Sequence, residues 1–176
     1  MNLLRKGLPV VALAALAAAG CFLTSGQFVA QYDLPNAIFS SSGTFQGELV
    51  DLNTLDEYND HKQDLARVEE VALVGDVQNL GDTDAQVEAW IVPDATSAPT
   101  GVVPGAIKLW GPFNVPAGTT AHVDWDQSAA LFVGRQVLID EIKGDGVFGL
   151  YLAAPSPQYD ISTTNAAFIT VFTAAK

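Results

Sequence analysis

Carboxylates are the commonest metal-binding side chains in the chain, and one short polar segment places two of them close together. Asp82 and Asp84 are separated by a single residue. Calcium is a hard cation that binds carboxylate and carbonyl oxygens, although this segment lacks the full Asp-x-Asn/Asp-x-Asn/Asp-Gly ligand pattern. We therefore name Asp82 and Asp84 as candidate calcium ligands, and the sequence suggests no other cofactor.

A second acidic segment contains one of the two histidines. His122 is followed by Asp124 and Asp126 at alternate positions, and alternate residues of a strand share one face. A strand would thus bring together a partial ligand set. Zinc sites use three or four ligands, usually led by His or Cys. One imidazole beside two carboxylates in so acidic a chain is better explained as a solvated surface.

Two tryptophans are the side chains best suited to bind a sugar or a protein partner. Alternation places Trp90 on the strand face opposite Val87 and Ile91, and it places Trp110 opposite Leu109. If both faces are open to solvent, the two indole rings form a binding platform. The competing interpretation is that each ring packs a loop or a helix against its sheet.

The sequence lacks the motifs that would indicate an enzyme. It contains no Gly-x-Ser-x-Gly pentad, and its glycines are scattered singly rather than grouped in a phosphate-binding loop. The chain has 8 Lys and Arg against 20 Asp and Glu, with a formal net charge of −12. A nucleic-acid binder needs a basic face. We expect a protein without catalytic activity that does not bind nucleic acid.

The N-terminus has the layout of a secretory signal. Arg5 and Lys6 precede an apolar stretch over residues 8–20, which ends in small residues before Cys21. Such a basic, apolar and small-residue order is typical of a cleaved signal peptide. The apolar stretch is shorter than the roughly 20 residues that a membrane-spanning helix needs, but extension through Leu23 keeps an uncleaved anchor open.

The segment Ala18-Ala19-Gly20-Cys21 resembles the lipobox of bacterial lipoproteins, with Ala18 where that family usually has Leu. The resemblance implies that Cys21 becomes the mature N-terminus and carries acyl chains such as palmitate. It also implies the outer membrane, because Phe22 stands where an inner-membrane retention signal would have Asp. The alternatives are a free Cys21 near an ordinary cleavage site and a prepilin-like cleavage after Gly7.

The remaining chain is mostly strand-like. Period-2 alternation, punctuated by Gly, Pro and Asn, predicts antiparallel strands. These strands cover residues 28–34, 44–52, 68–78, 85–92, 107–115, 119–125, 147–154 and 165–173. In the second of them, Phe45, Gly47 and Leu49 share one face. Residues 79–84 are rich in turn formers and predict a hairpin between two of these strands.

Two segments have helical signals. Thr54 and Glu57 form a capping-box pattern ahead of an apolar stripe. Residues 128–143 place Leu138 and Ile142 at helical spacing, with Gly144 where a helix often ends. The alternative is a further strand over residues 136–142. The sequence therefore predicts a mainly β antiparallel sandwich of about 7–9 strands with one or two short helices. Residues 1–20 are the signal peptide, 21–27 the lipidated Cys and tether, and 28–176 one domain, similar in architecture to small sandwiches of bacterial surface lipoproteins.

These observations favour a lipid-anchored, non-catalytic protein of the bacterial cell envelope, at the outer membrane or cell surface. Its role would be structural or the binding of a ligand or protein partner. A second hypothesis is a subunit of an extracellular assembly or filament that self-associates through sheet edges. A third is a secreted module that binds carbohydrate or calcium.

Overall fold

A computed structural model describes residues 26–42, 45–156 and 158–175, and it shows two antiparallel sheets packed face to face. The first sheet contains β1 (Gly26–Asp33), β2 (Ala37–Ser40), β4 (Leu65–Asn79), β7 (Thr120–Val123) and β9 (Asp160–Ala174). The second sheet contains β3 (Glu48–Asp51), β5 (Ala85–Val92), β6 (Ile107–Val115) and β8 (Val147–Ala153). The predicted antiparallel β-sandwich is confirmed.

Strand order explains which elements lie at the edges. The first sheet runs β1-β9-β4-β7, and β2 pairs with the beginning of β9 on the same side as β1. The second sheet runs β3-β8-β5-β6. Between the sheets lies an apolar core in which the rings of Phe148 and Phe168 meet edge to face, with centroids 5.6 Å apart. Burial of this core supplies the main driving force for folding.

The predicted hairpin at residues 79–84 is wrong. β4 belongs to the first sheet and β5 to the second, so this connection crosses from one sheet to the other. The local turn signal is real, because Gly81 N donates to Asn79 Oδ1 at 3.0 Å. A turn signal shows where a chain changes direction but not with which strand the next segment pairs.

The predicted capping box at Thr54 and Glu57 is also wrong. Asp51 caps a short 3-10 turn at Leu52–Thr54, and Thr54 Oγ1 donates back to the Asp51 carbonyl at 2.7 Å. Helix α1 (Asp56–Asn59) follows without a side-chain cap, and a second 3-10 turn spans Lys62–Asp64. The predicted apolar stripe therefore becomes three short turns rather than one helix.

The predicted helix over residues 128–143 is split in two. Helix α2 (Trp125–Ala130) begins at a capping box made by Asp124 and Gln127, and helix α3 (Arg135–Lys143) follows after a break. In that break, Val133 N and Gly134 N donate to Leu109 O at 2.9 and 3.1 Å. The chain leaves the helical path because residues 131–134 pair with the edge of β6. As predicted, Gly144 ends α3, and its N–H donates to Asp140 O.

The free edge of β4 is covered by side chains from these helices. Ser128 Oγ accepts from Leu73 N at 2.7 Å, and Lys143 Nζ donates to Ala66 O at 3.1 Å. The Arg135 guanidinium donates to the Glu69 carbonyl, which belongs to the same strand. Edge strands with unpaired backbone groups invite pairing with other chains, so such covers suppress it.

The outer edge of β1 has no such cover among the described residues. Leu34 N donates to Ala166 O at 2.8 Å. Because hydrogen-bonded positions alternate in antiparallel pairs, Gln27, Val29 and Gln31 direct their backbone groups away from β9. No other described segment pairs with this edge, and Val29 is 55% exposed. β1 is thus an edge that remains open to a further strand.

Candidate functional site

A cavity of about 70 Å³ lies between the two sheets, in the half of the sandwich that contains β2. Leu73 and Val77 line it from the first sheet, and Trp110, Leu150 and Leu152 line it from the second. Its walls are therefore mainly apolar. Partly open apolar concavities with a few polar groups at the rim are a common form of small-molecule site.

Small residues explain why the core is incompletely filled there. Gly75, Ala37 and Ala166 line the cavity where larger side chains would close it. Gly75 has φ 142°, and a Cβ added to it would lie 2.7 Å from the Ala166 Cα. The register of β4 against β9 shifts between Val74 and Asp76, so the two backbones come close at this point. This irregular pairing leaves the inward face without a side chain between Leu73 and Val77.

Trp110 does not lie on an open face, so it cannot form the binding platform; as the competing interpretation held, its ring packs helix α2 against the sheet. The residue is 2% exposed, and its Nε1 donates to Ser128 O at 3.0 Å. The pairing of β6 with β5 has two register irregularities between Val87 and Trp90, which shift the alternation of β6. Trp110 consequently forms part of the cavity wall instead of an exposed platform.

Trp90 is half-buried on the outer face of the second sheet. It pairs in register with Tyr151 on one side and Lys108 on the other. It packs against a second apolar cluster that includes Phe39 and Tyr151. Trp90 Nε1 is buried and makes no hydrogen bond within the described chain. Trp90 and Trp110 therefore lie on opposite faces of one sheet and do not form a shared binding surface.

Polar side chains line the cavity beside the edge strand β3. Val50 is fully buried, so Glu48, two positions earlier, faces inward as well, opposite Leu150 of β8. The single O–H of Tyr32, on β1, is shared between Glu48 Oε1 and Leu49 O, each 3.2 Å from Oη, and so links the two sheets. Burial and the neighbouring Glu48 carboxylate raise the pKa of Tyr32.

The exposed lining residues mark where the cavity reaches the surface. These are Pro35 and Gln46, and Gln46 Oε1 accepts from Ile38 N at 3.1 Å. Sequence reasoning missed Tyr32, Gln46 and Glu48 as site residues. It placed Phe45, Gly47 and Leu49 on one face and Glu48 on the other, and it did not assign Glu48 to the core side. The available signal was the spacing of Glu48 and Val50.

The candidate calcium ligands Asp82 and Asp84 lie in the exposed connection between β4 and β5. Asp84 Oδ1 accepts from Ala117 N at 3.0 Å, so one oxygen of this carboxylate is already used in a hydrogen bond to the backbone. Buried Asn79 holds the same connection through hydrogen bonds to Thr83 O and Val115 O. Among the described residues, no group of three His, Cys, Asp or Glu side chains is arranged to hold a metal ion.

His122, Asp124 and Asp126 are not brought together as a ligand set. His122 Nδ1 lies 2.8 Å from Asp76 Oδ1, whereas Asp124 caps helix α2. Asn165 Nδ2 donates to the other oxygen of Asp76 at 3.0 Å. These hydrogen bonds, from Asn165 first and then His122, lower the pKa of Asp76. The group is a surface network around Asp76, and the His122 side chain is 69% exposed.

Cys21, the predicted lipidation site, lies outside the described residues, as do the predicted signal peptide and most of the tether. None of the helices within residues 26–42, 45–156 and 158–175 is long and apolar enough to cross a membrane. No protein-family model matches the chain, and no curated protein is significantly similar to it.

Proposed function

We propose that the protein is a lipid-anchored, non-catalytic binding protein of the bacterial envelope, held at the outer membrane through acylated Cys21. The supporting observation is the position of β1. Gly26, its first residue, is five positions beyond Cys21 and pairs with Ala174 at the end of β9. Leu65, the first residue of β4, pairs with the same Ala174. The anchor therefore joins the sandwich at one end of its two longest strands.

This placement gives the domain an orientation. β4 and β9 each contain 15 residues, so their far ends lie about 46 Å from the anchored end at roughly 3.3 Å per residue. The connection that holds Asp82 and Asp84 lies at that far end. The acidic chain, with a net charge of −12, is repelled by anionic lipid headgroups within a Debye length of about 8 Å. Tether and charge together favour a domain that projects away from the bilayer.

The intact mass of the protein extracted from native membranes tests this proposal. We expect a chain that begins at Cys21 and carries acyl chains, because two or three chains on one residue anchor a protein stably whereas one is marginal. Cys21→Ala should remove the acyl mass and abolish stable membrane attachment. Cys21→Ser is the closest matched control for side-chain size, and it should behave like Cys21→Ala.

Two other masses would contradict the proposal. An unmodified chain beginning near residue 21 would make Cys21 a free thiol and the protein a secreted module. A chain that retains residues 8–20 would indicate an uncleaved anchor or a pilin-like subunit.

A second candidate function is a subunit of an extracellular assembly, and the open edge of β1 favours it. If strands add to this edge, the protein should form regular oligomers in a detergent-free preparation. Val29→Lys should return it to a monomer, because a charged side chain on an edge strand opposes strand addition. Val133→Lys, at a position 60% exposed in the break between α2 and α3, is the control. Sedimentation over a wide concentration range provides the measurement, and a sharp monomer throughout contradicts this candidate.

The two candidates make different demands on geometry. Antiparallel pairing of two β1 edges would relate the two copies by a two-fold axis, so that they point in opposite directions and their Cys21 residues lie at opposite ends. Two copies anchored upright in one membrane cannot pair in this way. Antiparallel self-pairing therefore requires the free, secreted form of the chain.

A further inference from the structure

We propose that the cavity between the sheets binds the hydrocarbon end of a short alkylamine, with the ammonium group at Glu48. This inference names a ligand class for the binding role proposed above and rests on that role. Its physical test is separate, because binding in the cavity does not require the lipid anchor.

The size and walls of the cavity determine the apolar part of the ligand. A volume of about 70 Å³ accommodates about five water-sized groups, such as methylenes, at roughly 15 Å³ for each. Leu73, Val77, Trp110 and Leu150 provide apolar walls on both sides. Each methylene that enters should strengthen binding about fourfold. The gain should end near five carbons, where the cavity is full.

The polar group beside these walls determines the head of the ligand. Glu48 faces inward, and its Oε1 accepts from Tyr32 Oη at 3.2 Å. Its Oε2 accepts no hydrogen bond within the described chain and is free for a donor from a ligand. A primary ammonium supplies three such donors and a positive charge.

The charge of the molecule acts in the same direction. A carboxylate ligand would place a second negative charge beside Glu48 in a chain whose net charge is already −12. The ligand carboxylate and the Glu48 carboxylate would repel each other, and solvent screens this repulsion less in a partly enclosed cavity. An amine should therefore bind more tightly than an alcohol of equal length, and an alcohol more tightly than a carboxylate.

The experiment is calorimetric titration of the full chain with linear amines, alcohols and carboxylates of two to eight carbons. Two forms of the protein are used, the Cys21→Ala variant and the native chain in nanodiscs. Saturable binding that rises about fourfold per carbon and levels near pentylamine is the expected result. No saturable binding, or carboxylates bound as well as amines, overturns the proposal.

Two variants locate the ligand. Ala37→Leu fills the cavity with three further carbons and should weaken pentylamine binding at least tenfold. Glu48→Gln keeps an oxygen for Tyr32 but removes the charge, so it should abolish the preference for pentylamine over pentanol. Ile38→Leu, at an exposed neighbouring position, should change neither value.

The competing explanation is that Glu48 faces inward only to discourage pairing at the β3 edge. If Glu48→Gln left the preference for pentylamine over pentanol unchanged, this explanation would be supported and the proposal overturned. This variant keeps the test decisive even if Ala37→Leu fails to fold. Loss of anchoring in Cys21→Ala without loss of pentylamine binding is expected, and it separates this site from the anchoring proposal.

Discussion

Replacing Asn79 by aspartate should lower the free energy of unfolding by about 4 kcal/mol, since the carbonyls of Thr83 and of buried Val115 would lose their donor and a charge would be buried. Asn79 is 1% exposed. Its Nδ2 donates to Thr83 O at 2.8 Å and to Val115 O at 3.0 Å, and its Oδ1 accepts from Gly81 N at 3.0 Å. A carboxylate in this place would direct an oxygen at two carbonyl oxygens and would also bury a charge.

Urea denaturation monitored by tryptophan fluorescence measures this loss. Asn114→Asp makes the same chemical change at an exposed position of β6 next to Val115, and it should stay within about 0.5 kcal/mol of the wild type. The loss from Asn79→Asp should shrink at acidic pH, because the protonated carboxyl regains one donor. Equal stability of the two variants at pH 7 would show that Asn79 does not organise the crossing between the sheets.

Gly146→Ala should destabilise the fold by about 3 kcal/mol through backbone strain and a steric clash. Gly146 has φ 77°, and an added Cβ would lie 2.5 Å from Tyr58 Oη and 2.8 Å from its ring. Tyr58 is 1% exposed and donates to Ile142 O at 2.7 Å, which joins helix α1 to the end of α3. Burial, followed by the charges of Asp145 and Asp51, raises the pKa of Tyr58 to about 12. Because Tyr58 Oη is held by Ile142 O, the phenol cannot move away from an added Cβ at residue 146 without losing this buried hydrogen bond.

A double-mutant cycle isolates the part of the clash that is due to the Tyr58 hydroxyl, because phenylalanine keeps the ring. In a Tyr58→Phe background the hydroxyl is gone, so Gly146→Ala should cost about 1 kcal/mol less than in the wild type. Gly101→Ala is the control, because no atom lies within 4 Å of its added Cβ and its φ is ordinary. If the Gly101 and Gly146 variants unfold at the same urea concentration, the close contact with Tyr58 has no energetic weight.

Strand positions were predictable wherever alternation was strict. The expected strand at 85–92 coincides with β5, and the strand expected at 147–154 nearly coincides with β8 (Val147–Ala153). In β5, Ala85, Val87, Ala89 and Ile91 are all buried, as period-2 alternation requires. Such patterns are local, and burial on one face is sufficient to produce them.

The errors arose where distant backbone groups decided the local structure. Residues 131–134 have helical spacing on both sides, but the edge of β6 needs partners for Leu109 O and Gly111 N. Trp110 was misplaced because register irregularities in β6 break the alternation on which its face was assigned. The cavity was not predictable either. Its small residues Ala37, Gly75 and Ala166 are far apart in sequence and meet only after the sheets pack.

The attachment of β1 to β9 has a mechanical consequence. β1 enters the fold at Gly26 and runs toward the far end, antiparallel to β9 over the eight paired positions from Gly26 to Asp33. A pull on the chain ahead of Gly26, opposed by a force at the far end of the domain, acts along the strand and loads the β1–β9 hydrogen bonds together, in shear. Peeling would instead break them one after another. Under such a load, the strand nearest the proposed anchor is held in the geometry that resists force best.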